Sequence, residues 1–178
     1  MIERSTDTDA ANRLVGRFLQ HFALVESALD DALSSLLGLK PEVSAVVMSN
    51  MTIYSKIDTF FASEKQLAAM PDGARKAKLR SAKGRISGLN DDRNIAAHCT
   101  FDGFGGGEFV RFHRVKAKGE LKISDIDWSE ADVEKKCCEA TQLVKDIQDL
   151  ISEMKPFEAF ADGSDPRNIP FLHWLGIV

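Results

Sequence analysis

The chain has 178 residues, 44% hydrophobic and 28% charged, which suits one domain with a real core and an ordinary globular composition. No apolar run approaches the roughly 20 residues of a membrane span, and the polar, acidic stretch from Met1 to Asn12 is not a signal peptide, so a cytoplasmic location with no membrane partner is expected. A net charge of −4 excludes a uniformly basic coat, and three cysteines (Cys99, Cys137 and Cys138), odd in number with two adjacent, exclude a disulfide framework and read as reduced core thiols.

Charge is unevenly placed. Residues 65–122 carry 13 Lys/Arg against 6 Asp/Glu, whereas residues 1–64 carry 5 against 9 and residues 123–178 carry 5 against 12. The middle third is basic and its flanks are acidic.

From Asp7 or Asp9, either of which suits an N-cap, apolar residues recur as Leu14, Phe18, Phe22, Val25, Leu29, Leu33 and Leu36, a helical stripe that Gly38 closes. Pro41 suits the first turn of a second helix, whose apolar positions run Val43, Val46, Val47, Met51, Tyr54, Ile57 and Phe61. The short link between the two predicts antiparallel packing.

Pro71-Asp72-Gly73 breaks the chain, and a third helix opens with Arg75, Lys76, Lys78, Arg80, Lys83 and Arg85, six bases in eleven residues without an acid. Its apolar side is Leu79, Ala82, Ile86 and Leu89, and it ends near His98. The glycines 103, 105, 106 and 107 read as a flexible turn gating the space beside His98. They lack the strand-before, helix-after context and the following Lys-Ser or Lys-Thr of a phosphate loop.

A hairpin over about residues 108–124 is expected from Phe109–Lys116 and Glu120–Ile123 around a turn at Lys118-Gly119, and it is also basic through Arg111, Arg114, Lys116 and Lys118. Ser129-Glu130-Ala131-Asp132 resembles a capping box and opens a fourth helix along Val133, Cys137, Ala140, Leu143, Val144, Ile147, Leu150, Ile151 and Met154, ended by Pro156. The tail from Phe157 to Val178, with Pro166, Pro170, Phe171 and Trp174, is irregular yet apolar enough to lie against the helices. The expected fold class is all-α: an up-and-down bundle of four main helices in a single domain over residues 1–178, core about 10–155, with a β-hairpin between helices three and four.

The end of the third helix, Arg93-Asn94-Ile95-Ala96-Ala97-His98, gathers an Arg, an Asn and a His within six positions. On a helical wheel Arg93 falls on the stripe of Leu79, Ile86 and Leu89, pointing inward, so the fold should supply an anion, with Glu26 of the first helix as the candidate carboxylate. Asn94 and His98, four apart, share a face where the amide can orient the imidazole. Arg93 and His98 stand about 140° apart around a regular helix, so a second copy of the motif across a symmetric dimer would complete a site. His21 and His113 read as ordinary. Cys99 lacks the further ligands a zinc site needs, and neither metal nor cofactor is expected.

A helix-ending Arg-Asn-x-x-Ala-His hexad in a helical bundle resembles the HEPN domains, whose signature is Arg, four to six residues, then His, usually with a polar residue after the Arg. The resemblance covers about residues 10–155. It implies a metal-independent endoribonuclease acting as a homodimer whose two motifs line one cleft, with Arg93, Asn94 and His98 as the catalytic set, Glu26 in support, and a role as a toxin or defence effector with an antitoxin protein as a candidate partner. RNA would then run along Arg75, Lys76, Lys78, Arg80, Lys83, Arg85, Arg111 and Arg114. The alternative is a non-catalytic HEPN-like module for dimerisation or partner binding, in which Arg93 and Glu26 serve stability.

Overall fold

The structure, a computed structural model, describes residues 3–67, 73–118 and 120–152. These form the helices α1 (Glu3–Leu36), α2 (Pro41–Asn50), α3 (Ile53–Leu67), α4 (Gly73–His98) and α5 (Glu130–Ser152), with strands β1 (Thr100–Phe104), β2 (Phe109–Lys118) and β3 (Glu120–Ser129) between α4 and α5. The strands make one antiparallel sheet in the order β1-β2-β3. The expected all-α bundle of four helices with an inserted hairpin is therefore corrected: among the described residues there are five helices and a three-stranded sheet.

Two local features account for the difference. The second predicted helix divides because Met51 is extended (φ −91°, ψ 136°) and Thr52 starts a new helix, its Oγ1 accepting the Ser55 amide at 3.2 Å. Ser49 Oγ and Asn50 Nδ2 both donate to the Val46 carbonyl, satisfying the end of α2. A third strand forms because the glycine stretch is not one loop. Phe101, Asp102 and Gly103 pair with Phe112, Arg111 and Val110, and a side-chain carbon on Gly103 would lie 2.0 Å from the Asp7 carbonyl oxygen, so only glycine lets β1 lie this close to α1. Gly105, Gly106 and Gly107, with φ of +66°, +71° and +92°, make the tight turn into β2.

Other expectations shift less. Asp7 and Asp9 lie inside α1, which already runs by Glu3. Gly38 (φ +60°) ends it as foreseen, its amide donating to Ser35 and that of Leu39 to Ser34. The capping box forms: the Ser129 amide donates to Asp132 Oδ2 at 2.9 Å and the Asp132 amide to Ser129 Oγ at 3.1 Å. The Ser129 hydroxyl, then its amide, holds the Asp132 carboxyl below its usual range. The break at Pro71-Asp72, the turn residue Gly119, Pro156 and the tail 157–178 lie outside the described residues. No helix of the described residues is long and apolar enough to cross a membrane.

The chain divides into two compact units, one of α1 to Ala28 together with Arg80 to Asp146, the other of Leu29 to Leu79 and the chain from Ile147. In the first, Phe18 of α1 meets Trp128 edge-on (5.4 Å between ring centroids) and Trp128 meets Phe112 (4.5 Å), seating the inner face of the sheet on α1. Such aromatic pairs contribute about 0.5–1.5 kcal/mol each beyond their area burial. In the second, Leu33, Leu36, Ile57 and Phe60 are buried, and Lys56 lies among them 8% exposed. Its ammonium is 2.6 Å from Asp30 Oδ1 and donates to Oδ2 at 2.9 Å.

Candidate functional site

The last turn of α4 ends against β1 and β2. Ile95 and Ala96 are buried and anchor the helix, so Asn94, one residue before them, and His98, one turn later, come to the same side and border a cleft of about 430 Å³. Cys99 and Thr100 continue its wall into β1, and His113, Arg114 and Val115 of β2 close it opposite. His98 is exposed and, among the described residues, makes no hydrogen bond.

Arg93 is half-buried and does not border this cleft; its Nη1 donates to Asn94 Oδ1 at 3.3 Å. Among the described residues it forms no ion pair, and Glu26, half-buried on α1, is not its partner. A half-buried guanidinium keeps part of its hydration, so it does not compel a carboxylate as a fully buried one would. The α1 carboxylate that meets a buried cation is instead Asp30, one turn beyond Glu26, paired with Lys56.

His113 is far from ordinary. Its Nε2 is 3.0 Å from Asp102 Oδ2 of β1 and its Nδ1 is 2.9 Å from Asp125 Oδ1 of β3. Both nitrogens face carboxylates, which favours the imidazolium; the bond to Asp102, then that to Asp125, raises its pKa, with desolvation opposing. One register step away Arg111 donates through Nε and Nη2 to the two oxygens of Asp127 at 2.8 and 2.7 Å, which pulls the Asp127 carboxyl below its usual range. This face of the sheet is a closed ladder of charges.

The basic residues proposed to track RNA therefore divide. Arg85 is engaged by Glu139 (3.3 Å) and Asp146 (2.6 Å), and Arg111 by Asp127. Lys76, Lys78, Arg80 and Lys83 are exposed along α4, while the side chain of Arg75 lies outside the described ones. Of those whose side chains are described, Arg114 borders the cleft. The sequence assigned Arg111 and Arg114 to RNA contact but did not bring His113, Arg114 and Val115 of β2 beside His98. The available signal was alternation: Phe101, Gly103, Val110, Phe112 and Trp128 on one face and Asp102, Arg111, His113, Asp125 and Asp127 on the other mark three strands with a charged outer side.

Comparison of the chain with protein-family models, with curated proteins and with solved structures finds no match.

Proposed function

We propose that the chain is a HEPN-like, metal-independent endoribonuclease that acts as a homodimer in the cytoplasm, as a toxin or defence effector. The observation that carries this reading is the open imidazole of His98 in one cleft with the Asn94 amide, at the end of a helix where Arg93 is tied to that amide. An imidazole with no internal partner is available to exchange a proton with a ligand. In the proposed reaction His98 takes the proton of an RNA 2′-hydroxyl, O2′ attacks the adjacent phosphorus, and the P–O5′ bond breaks. The 5′-oxygen gains the proton that O2′ lost, leaving a 2′,3′-cyclic phosphate and a 5′-hydroxyl. Arg93 orients Asn94 and, in a dimer, can address the site of the second copy.

The test is incubation of the purified protein with end-labelled RNA and with DNA of the same sequence, in EDTA. RNA should be cut to cyclic-phosphate ends and DNA, which lacks the attacking hydroxyl, should survive. RNA left intact would overturn the reading. One observation favours a second reading: Val115 and Ile123, paired across β2 and β3, are 63% and 70% exposed, which suits a non-catalytic HEPN-like module for dimerisation or partner binding, an antitoxin included. A protein that dimerises without cutting RNA, and loses the dimer on Ile123→Lys, would decide for it.

A further inference from the structure

We propose that Arg114, carried by the sheet and not by the Arg93–His98 motif, holds the scissile phosphate in the cleft beside His98; the substrate assignment rests on the ribonuclease reading. Among the described side chains near this cleft, Arg111 and His113 are held by carboxylates and Arg93 by a neighbouring amide. Arg111 is doubly bonded to Asp127, His113 spends both ring nitrogens on Asp102 and Asp125, and Arg93, which does not border the cleft, donates to Asn94, which does. Arg114 borders the cleft, is half-exposed, and among the described residues forms no ion pair.

The strand register explains why it stays uncommitted. Successive residues of a strand face opposite sides, so the three carboxylates that accompany Arg111 and His113 lie on the other face from Arg114. Its cross-strand partner on β3 is Ser124, not an acid. On the β1 side the ladder ends at Thr100 and His113, one residue earlier, so Arg114 stands where β2 runs on beyond β1. The same pairing fixes its backbone: the Asp102–His113–Asp125 bridge ties all three strands together at the preceding residue. A guanidinium carried by a braced strand offers a planar fork that matches two phosphate oxygens. With His98 and Asn94 on the facing helix end, a phosphodiester in this cleft would meet a cation, an amide and a proton acceptor from one protomer.

The experiment pairs cleavage of RNA with binding of a 2′-O-methyl RNA oligonucleotide, which cannot be cut, to the full chain and to Arg114→Gln, Arg114→Lys and His98→Ala. Arg114→Gln should melt at the wild-type temperature, lose about 10²–10³-fold in kcat/KM, and lower the slope of log affinity against log salt by about 0.7, one phosphate contact on a single strand. Arg114→Lys should keep the salt slope and lose at least about tenfold in kcat/KM, because the charge remains and the fork does not. Wild-type cleavage and salt slope in Arg114→Gln, beside an inactive His98→Ala, would overturn the proposal and leave the ribonuclease reading standing. A wild-type chain that binds the oligonucleotide through Arg114 without cutting RNA would sink the ribonuclease reading and uphold the phosphate contact. If Arg114→Gln melts early, Arg114→Lys decides: wild-type kcat/KM there overturns the role of the fork.

Discussion

A cavity of about 530 Å³ is bordered by Asp30 and Ser34 of α1, Ser44 of α2 and Lys56 of α3, and these groups are satisfied inside the fold: Lys56 by Asp30, Ser34 by Ser44 and by the Asp30 carbonyl. The cleft of about 430 Å³ at the end of α4 is bordered by groups of similar chemistry, yet among the described residues His98 makes no hydrogen bond and Arg114 no ion pair. The difference follows from burial. Lys56 is 8% exposed, and an ammonium with so little water must have a carboxylate. His98 and Arg114 keep more of their hydration, so leaving them unpaired costs the fold little. Polar groups are paired within the fold in the first place and left open in the second.

That contrast can be broken by mutation, most strongly at Asp30. Asp30→Ala leaves the Lys56 ammonium nine-tenths buried without its anion and should cost about 3 kcal/mol in urea unfolding, near the lower end of the range for a broken buried pair because Asp30 itself is one-third exposed. Lys56→Met, which leaves the better-hydrated partner behind, should cost clearly less. Equal costs would mean that burial does not govern this pair. Removing groups that border the cleft gives the opposite expectation: Asn94→Ala and Arg114→Gln should each stay within about 0.5 kcal/mol of wild type.

Next in size is Gly103→Ala. The added carbon would stand 2.0 Å from the Asp7 carbonyl oxygen, a backbone atom that cannot swing aside, so β1 must move off α1 at a cost of about 1–3 kcal/mol. Because β1 also carries Asp102, the His113 bridge should loosen with it. A mutant as stable as wild type would show that β1 is not seated on α1 in this way.

The smallest effect is that of pH on the His113 bridge. The folded-state pKa of His113 is raised, so its contribution to stability is complete below the unfolded value of about 6.5, as long as the carboxylates stay ionised, and is lost as pH rises through the raised value. The groups that face the ring are Asp102 from β1, Asp125 from β3, with Arg111 and Asp127 beside them on the same face and His98 across the cleft. The difference in urea midpoint between wild type and His113→Gln should therefore be largest on the acid side of that range and shrink above it. A difference that grows with pH would contradict an imidazolium between two carboxylates.

How far the sequence carried the fold depends on how local each cause is. The stripe from Leu14 to Leu36, the Gly38 stop and the Ser129–Asp132 box are set by neighbours within a few residues, and each is found where the sequence places it. The break at Met51–Thr52 was also local, written in Ser49, Asn50 and Thr52, but the apolar period runs across it and masks it. Strand β1 was hidden because Gly103 reads as a loop residue until α1 is brought against it. In the candidate site, Asn94 and His98 were legible together because a helix fixes residues four apart, whereas the choice between Glu26 and Asp30 as a buried anion, and the arrival of His113 and Arg114 beside His98, are decided by tertiary contacts that spacing does not encode.

The claim on which the account turns is that His98 is kept for chemistry and not for the fold, and the direct measurement is single-turnover RNA cleavage in EDTA by wild type and His98→Ala, alongside their urea midpoints. His98→Ala should lose about 10²–10⁴-fold in rate with its midpoint unchanged. Cleavage at the wild-type rate by His98→Ala, or a loss of activity matched by a loss of stability, would contradict it.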